Sequence, residues 1–168
     1  LCYGQTDCLP DEDTFSASID SASAALKGLL KGQAAQWYSS PLLRCANFSL
    51  ALASDLSAEI PVVSARLLEM NFGSWENLAW SDIERAQLDA WAKDPWHFKP
   101  GGLESVSDLL ARWRAFKQEI GLKAEAGVTV VVTHAGIIRM ALLDAKIISE
   151  QDMWTYSVPY ATPIDLTL

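Results

Sequence analysis

Val128-Thr129-Val130-Val131-Val132-Thr133-His134-Ala135-Gly136 is the stretch that decides the fold. Its first part is β-branched throughout and reads as a strand buried on both faces, the usual state of a parallel-sheet strand. His134-Ala135-Gly136 closes that run, and a helical apolar pattern extends from Ile137 to Ala145. A strand running straight into a helix sets its last residues at the carboxyl edge of a parallel sheet, where ligands of α/β proteins bind. An imidazole there lies beside the free N–H groups of a helix N-terminus, a ready anion site. A histidine that merely caps or packs fits the same nine residues, so the reading turns on what else reaches that edge.

A second hinge of the same kind lies earlier. Gln36-Trp37-Tyr38-Ser39 reads as a short strand, Ser40 as an N-cap, and Pro41 as the first residue of a helix running to about Leu56. Arg44 then falls in the first turn or so of that helix. Its planar fork suits a pair of phosphate oxygens. An exposed helix arginine is the bland alternative, but two hinges delivering His134 and Arg44 to one edge favour an oxyanion pocket.

The stretch Arg66 to Asn77 carries Glu69, Glu76, Gly73 and large apolar side chains with little periodicity, so a loop with anchors is expected. Leu68 and Met70 flank Glu69, and apolar surroundings raise a carboxyl pKa toward the range useful for proton transfer. Glu76, at the polar end beside Asn77, reads as a surface glutamate.

The remaining elements follow from spacing. A helix is expected from Phe15 to Leu30 and a short strand over Pro61-Val62-Val63-Ser64. Ser81 caps a helix through Trp91, and Lys93 to Gly102 is a loop broken by Pro95 and Pro100. Ser105 or Ser107 starts a long helix striped by Val106, Leu109, Leu110, Trp113, Phe116 and Ile120. Gly121 and Gly127 bracket the turn into the Val128 strand, and Ile164 to Leu168 reads as a last strand. Alternating strands and helices imply one α/β domain, a three-layer α/β/α sandwich on a mostly parallel sheet. Trp80, Trp91, Trp96 and Trp113 fit either an apolar lid over a nucleotide-like substrate or large side chains covering a core. His97 reads as a loop histidine.

Five segments in order, Tyr3-Gly4-Gln5-Thr6-Asp7, Ser39-Ser40-Pro41-Leu42-Leu43-Arg44, Arg66 to Glu76, Pro100-Gly101-Gly102-Leu103-Glu104-Ser105 and Val132-Thr133-His134-Ala135-Gly136, resemble the histidine phosphatase superfamily, with its phosphoglycerate-mutase-like fold. Within it they are most similar to the α-ribazole phosphatase branch of cobalamin synthesis. The resemblance implies a phosphomonoesterase working through a phosphohistidine, with α-ribazole 5'-phosphate as substrate. A broad-specificity phosphatase of sugar phosphates or nucleotides, or a non-catalytic phospho-ligand-binding relative, are the alternatives. The short chain, without the substrate-capping insertions of the mutases, suits a phosphatase. Arg44, Glu69 and His134 are the implied catalytic residues: Arg44 holds the equatorial oxygens, Glu69 handles the leaving-group proton, and His134 donates to a phosphoryl oxygen. Tyr3, Gly4, Gln5, Arg44, Ala135 and Gly136 are the implied substrate-binding set.

The family's Arg-His-Gly signature, whose histidine is the nucleophile, is not found here; His97 and His134 are the two histidines and neither has that context. The segment Tyr3-Gly4-Gln5 lies shortly after the signature in the family, so the first strand and the nucleophile are expected outside these 168 residues. That strand is interior in the family's sheet, where a gap would leave backbone groups unpaired. Asn77 stands where the family usually has glycine, Leu103 is inserted before Glu104, and Asp11 to Ser18 lacks the usual Thr-x-x-Gly helix start.

Composition bounds the rest. A chain of 168 residues, half of them hydrophobic, is one domain, able to bury roughly two-thirds of its unfolded surface. A net charge of −8 argues against nucleic acid or an anionic membrane as partner, and gives an anionic substrate need of a local cation such as Arg44. The expected partner is a small phosphate ester; a homodimer is left open. Cys2, Cys8 and Cys45, without ligand-like spacing, suit a reducing cytosol, and a cytoplasmic location is expected. No metal or organic cofactor is implied, and no apolar run within these residues reaches membrane-spanning length.

Overall fold

A computed structural model describes residues 1–10, 12–121 and 127–166. In chain order the elements are α1 (Glu12–Leu30), β1 (Ala35–Ser39), α2 (Leu43–Asp55), β2 (Val62–Val63), α3 (Arg85–Lys93), α4 (Val106–Gly121), β3 (Val128–Val132) and α5 (Ala135–Asp144). Short 3-10 turns at Ala65–Leu67, Gly73–Trp75, Trp80–Asp82, Pro100–Gly102 and Asp152–Trp154 link them.

Among the described residues the sheet has the order β2-β1-β3 and every pairing is parallel. Ala35 faces Val128 and the register runs to Ser39 opposite Val132. Ser40 N–H donating to Val132 O at 3.0 Å and Ser64 N–H to Ser39 O at 2.9 Å carry both ladders one step further. The strands therefore end in register, and the residues that follow β1 and β3 meet at one edge.

Two apolar cores flank this sheet, giving the expected three layers. On one face Ile19, Ala22 and Leu26 of α1 and Leu52 and Ala53 of α2 close over Trp37. On the other, α4 and α5 close over Tyr38 and Val131. The α4 stripe is as predicted: Val106, Leu109, Trp113, Phe116 and Ile120 are buried, and each such side chain contributes about 1.5–3 kcal/mol. Its start is a reciprocal cap, with Asp108 N–H on Ser105 Oγ and Ser105 N–H on Asp108 Oδ2. A third, smaller core packs Cys2, Trp75 and Ile83. Asn77 adopts φ 66°, a left-handed conformation that glycine takes freely and asparagine tolerates.

Several expectations are corrected. β3 is half-buried at every position rather than sealed on both faces, because only its β1 edge is paired among the described residues. Residues 164–166 form no strand, although Ile164 and Leu166 pack on the α4–α5 core; Thr167 and Leu168 lie outside the described residues, as does most of the turn expected between Gly121 and Gly127. α2 begins at Leu43, not Pro41: the Ser40 hydroxyl, 2.8 Å from His134 Nε2, accepts only a long bond from Leu42 N–H at 3.4 Å, and Asp7 Oδ1 accepts from Leu43 N–H at 2.8 Å. Ser81 caps no long helix: its hydroxyl bonds Asp82, and α3 starts at Arg85. α1 starts earlier than Phe15, at Glu12.

Candidate active site

His134 ends β3's run and is the N-cap residue of α5; Arg44 sits in the first turn of α2, just past the end of β1. The aligned strand ends bring them into contact, with Arg44 Nε–H donating to His134 Nδ1 at 3.3 Å. That bond makes Nδ1 the acceptor, so the neutral ring carries its proton on Nε2, 2.8 Å from Ser40 Oγ. Burial first, then the Arg44 and Arg112 charges, push the His134 pKa down to about 3. The ring is therefore neutral at physiological pH. Cys45 Sγ lies 3.6 Å from both ring nitrogens, and burial pushes its thiol up to about 12.

Glu69 reaches the same edge from the loop after β2. Its carboxylate accepts from its neighbour's amide, Met70 N–H, at 2.9 Å and from Gly136 N–H, in the first turn of α5, at 3.1 Å. Burial raises its pKa, outweighing the amides of Met70 and Gly136 and the charges of Arg44 and Arg139. Gly136 is required by this approach: a Cβ there would overlap Glu69 Oε1. The sheet edge thus presents an arginine fork, a neutral imidazole, a helix N-terminus and a carboxyl whose pKa is raised. That set suits an oxyanion whose transfer needs a proton.

The first residues of the chain form an arch over Arg44. Arg44 Nη2 donates to Gly4 O at 2.5 Å and Nη1 to Thr6 O at 2.9 Å, and the Tyr3 ring lies 5.8 Å from the guanidinium carbon. Each terminal nitrogen carries a second N–H. Gln5 Nε2 donates to Glu69 O at 2.9 Å and its Oε1 accepts from Asn71 Nδ2 at 3.2 Å. Ala135 is the first helical residue of α5 and half-buried.

Two residues escaped the sequence reading. Glu76 is not a surface glutamate: it accepts from the backbone N–H of Gly4, Gln5, Thr6 and Phe72 and from the Thr6 hydroxyl, at 2.5–3.1 Å. Partial burial acts to raise its pKa, but the Thr6, Gln5 and Gly4 donors win and hold it down at about 2. Arg112 pairs with Glu104 at 2.9 Å in a largely enclosed position and donates to the carbonyls of Arg66, Leu68 and Glu69. It thereby clamps the loop that presents Glu69. Its position eight residues beyond Glu104 was the available signal, though nothing in the sequence tied it to the Glu69 loop.

His97 is an exposed loop residue paired with Asp94 at 3.0 Å. The tryptophans do not form one lid. Trp113 is core, Trp80 stacks on Trp91 at 6.2 Å and 10°, and Phe72 meets both edge-on. Two depressions, of about 740 Å³ at Trp96, Leu110 and Arg114 and about 910 Å³ at Gln36, Trp37 and Val128, lie away from Arg44, Glu69 and His134. Among the described residues no group of His, Cys, Asp and Glu is arranged to hold a metal, and no helix is long and apolar enough to cross a membrane.

Residues 16–167 match the family model of the histidine phosphatase superfamily, branch 1. A bifunctional protein of Mycobacterium tuberculosis is 34% identical over 115 residues, 67% of this chain and 31% of that protein; the chain thus matches about a third of such a relative's length. Among solved structures, an α-ribazole phosphatase from Shigella flexneri superposes with a TM-score of 0.80 at 20% identity, covering 96% of this chain and 79% of that one. A mycobacterial glucosyl-3-phosphoglycerate phosphatase complexed with inorganic phosphate gives 0.73 at 24% identity, covering 93% and 78%. At such identities the likeness is one of fold.

Proposed function

Because the chain belongs to the histidine phosphatase superfamily, branch 1, we propose that it forms the phosphate-binding and proton-transfer part of a phosphomonoesterase. One observation carries the reading: Arg44, His134 and Glu69 meet at one sheet edge, Arg44 Nε 3.3 Å from the imidazole and Glu69 bonded to the amide of Gly136.

In the proposed reaction a histidine nitrogen attacks phosphorus in line; the P–N bond forms as the P–O bond to the alcohol breaks. Water then displaces the histidine and releases phosphate. The second N–H groups on Arg44 Nη1 and Nη2 take the equatorial oxygens, where the transferring group concentrates its charge. Glu69, its pKa raised by burial, gives the leaving oxygen its proton and then takes one from the attacking water. His134 Nε2–H, now on Ser40 Oγ, turns to a phosphoryl oxygen when substrate arrives.

The nucleophile is assigned to a residue outside positions 1–168. His97 is a surface residue paired with Asp94, and His134 is enclosed by Ser40, Arg44 and Cys45. The edge of β3 left unpaired among the described residues supports a location: a further parallel strand added there would end beside His134. The proposed substrate is α-ribazole 5'-phosphate, supported by the ordered segments from Tyr3 to Gly136 and by the fold shared with the Shigella enzyme.

The test uses the complete gene product with α-ribazole 5'-phosphate, glucosyl-3-phosphoglycerate and p-nitrophenyl phosphate. Turnover through an acid-labile, base-stable phosphoenzyme is expected, fastest on the first. Similar rates on all three would favour broad specificity. Phosphate binding without turnover would make the protein a phospho-ligand-binding relative.

A further inference from the structure

Residues Gly4, Gln5 and Thr6 turn three successive N–H groups inward onto one carboxylate. Glu76 Oε2 accepts from Gly4 N–H at 3.0 Å, Thr6 N–H at 2.9 Å and Thr6 Oγ1 at 2.5 Å; Oε1 accepts from Gln5 N–H at 2.9 Å. Concave runs of this kind are anion sites, and here the anion is a side chain of the protein itself. Peptide units whose N–H groups point one way present carbonyls the other way. The carbonyls of Gly4 and Thr6 are the two that accept from Arg44 Nη2 and Nη1. One peptide unit, Gly4–Gln5, is aligned between the two charges, its N–H on Glu76 Oε1 and its C=O on Arg44 Nη2; Thr6 is held to Glu76 by its N–H and hydroxyl and offers its own C=O to Arg44 Nη1. The arch has no slack at its first residue: a Cβ on Gly4 would overlap Met70 O and lie 2.9 Å from Glu76 Oε1.

Resting on the phosphatase reading above, we propose that Glu76 is a positioning residue for phosphate binding, which sets the Arg44 guanidinium through the carbonyls of Gly4 and Thr6. Nothing in the geometry brings Glu76 to the transferring group. Its effect passes through the arch: with the arch fixed, one N–H of each terminal Arg44 nitrogen is tied to a carbonyl and the other keeps a set direction. With the carboxylate removed, the three inward N–H groups lose their acceptor, the carbonyls lose their heading, and the fork loses two of its restraints.

The test is a double-mutant cycle in the complete protein, reading the affinity for inorganic phosphate by calorimetry. Glu76→Gln keeps the size but replaces one acceptor oxygen with a donor. It is expected to weaken phosphate binding about tenfold, the scale of a lost charge-assisted hydrogen bond. Arg44→Lys removes the bidentate fork but leaves a measurable charge; in that background Glu76→Gln is expected to change binding less than twofold. A purely structural role would not produce this dependence on Arg44. Equal weakening in both backgrounds, or none in the Arg44 protein, overturns the proposal. If Arg44→Lys itself leaves phosphate affinity unchanged, the phosphate site, and not only this proposal, is wrong. Should Glu76→Gln fail to fold, Thr6→Val removes one hydroxyl donor at constant shape. About threefold weakening with Arg44, absent with Arg44→Lys, is then the supporting result, and no weakening the opposing one.

Discussion

Gly136→Ala separates the fit of Glu69 from the stability of the fold. Gly136 lies in the first turn of α5 and outside the left-handed region, so alanine is conformationally acceptable and gains about 1 kcal/mol of helix propensity. Against this, the new Cβ would overlap Glu69 Oε1 and approach Leu109 Cδ2 at 3.3 Å. The carboxylate must move, and the 3.1 Å bond from Gly136 N–H breaks. A hydrogen bond to a charged group contributes about 1.5–3 kcal/mol. The net loss is then about 0.5–2 kcal/mol, or roughly 1–8 °C in Tm for a domain of this size. Displacing an acid group by about 1 Å costs on the order of a hundredfold in rate. That loss should fall on alkyl phosphates, whose leaving group needs a proton, and spare p-nitrophenyl phosphate. The assay is kcat on both esters beside a thermal melt of the complete protein. A folded Gly136→Ala variant with an unchanged alkyl-to-aryl rate ratio would refute the role given to Glu69.

Glu69→Gln should slow alkyl esters by about a hundred- to ten-thousandfold and aryl esters far less, whereas Arg44→Ala should depress both alike, because the charge it meets is on the phosphoryl group; equal slowing of both esters by Glu69→Gln would pass the acid role to another carboxyl. Acid should destabilise the fold in two stages, because the folded pKa of His134 is about 3 against 6.5 and that of Glu76 about 2 against 4.5: in each case the unfolded chain binds the proton first, so stability present above the unfolded value is lost as pH falls. Between pH 6.5 and 4.5 His134 alone accounts for on the order of 2–3 kcal/mol, and a urea-midpoint series should flatten over that range in His134→Gln; parallel curves would contradict the neutral imidazole. Arg112→Met leaves Glu104 enclosed and unpaired and should cost about 3–5 kcal/mol, read as a lower urea midpoint; a shift under about 1 kcal/mol would mean that water replaces the guanidinium.

Local signals carried the parts of this structure whose causes are local. The β-branched run and the following helix gave β3 and α5, and the spacing of Val106 to Ile120 gave the buried side of α4. Ser105 and Asp108 stand at capping-box spacing and form that box. The failures have long-range causes. Ser40 has N-cap chemistry, but its hydroxyl meets Leu42 N–H only at 3.4 Å and lies nearer His134, ninety-four positions away in the chain. Residues 164–166 have strand composition, yet they pair with no described strand, and Ile164 and Leu166 pack on the α4–α5 core instead. The cap of α2 comes from Asp7, across thirty-six positions.

Glu69 and Glu76 sharpen the same point, because they share one loop and end with opposite acidities. The chain neighbours of Glu69, Leu68 and Met70, point to an apolar setting, and burial does raise its pKa. The polar Asn77 beside Glu76 suggests a surface carboxylate, and the structure shows otherwise. Its donors Gly4, Gln5 and Thr6 lie about seventy positions away. A carboxylate that gathers so many N–H donors stays ionised well below neutral pH, and one enclosed with only two amide donors drifts toward its acid form. Proton transfer needs the second environment and a fixed anchor needs the first. The loop from Glu69 to Glu76 therefore joins a carboxyl whose pKa is raised to one whose pKa is lowered, as the proposed roles of acid and anchor require. The short path between them, through Met70 and Phe72 to the arch on Arg44, links the group proposed to handle the proton to the group proposed to hold the phosphate.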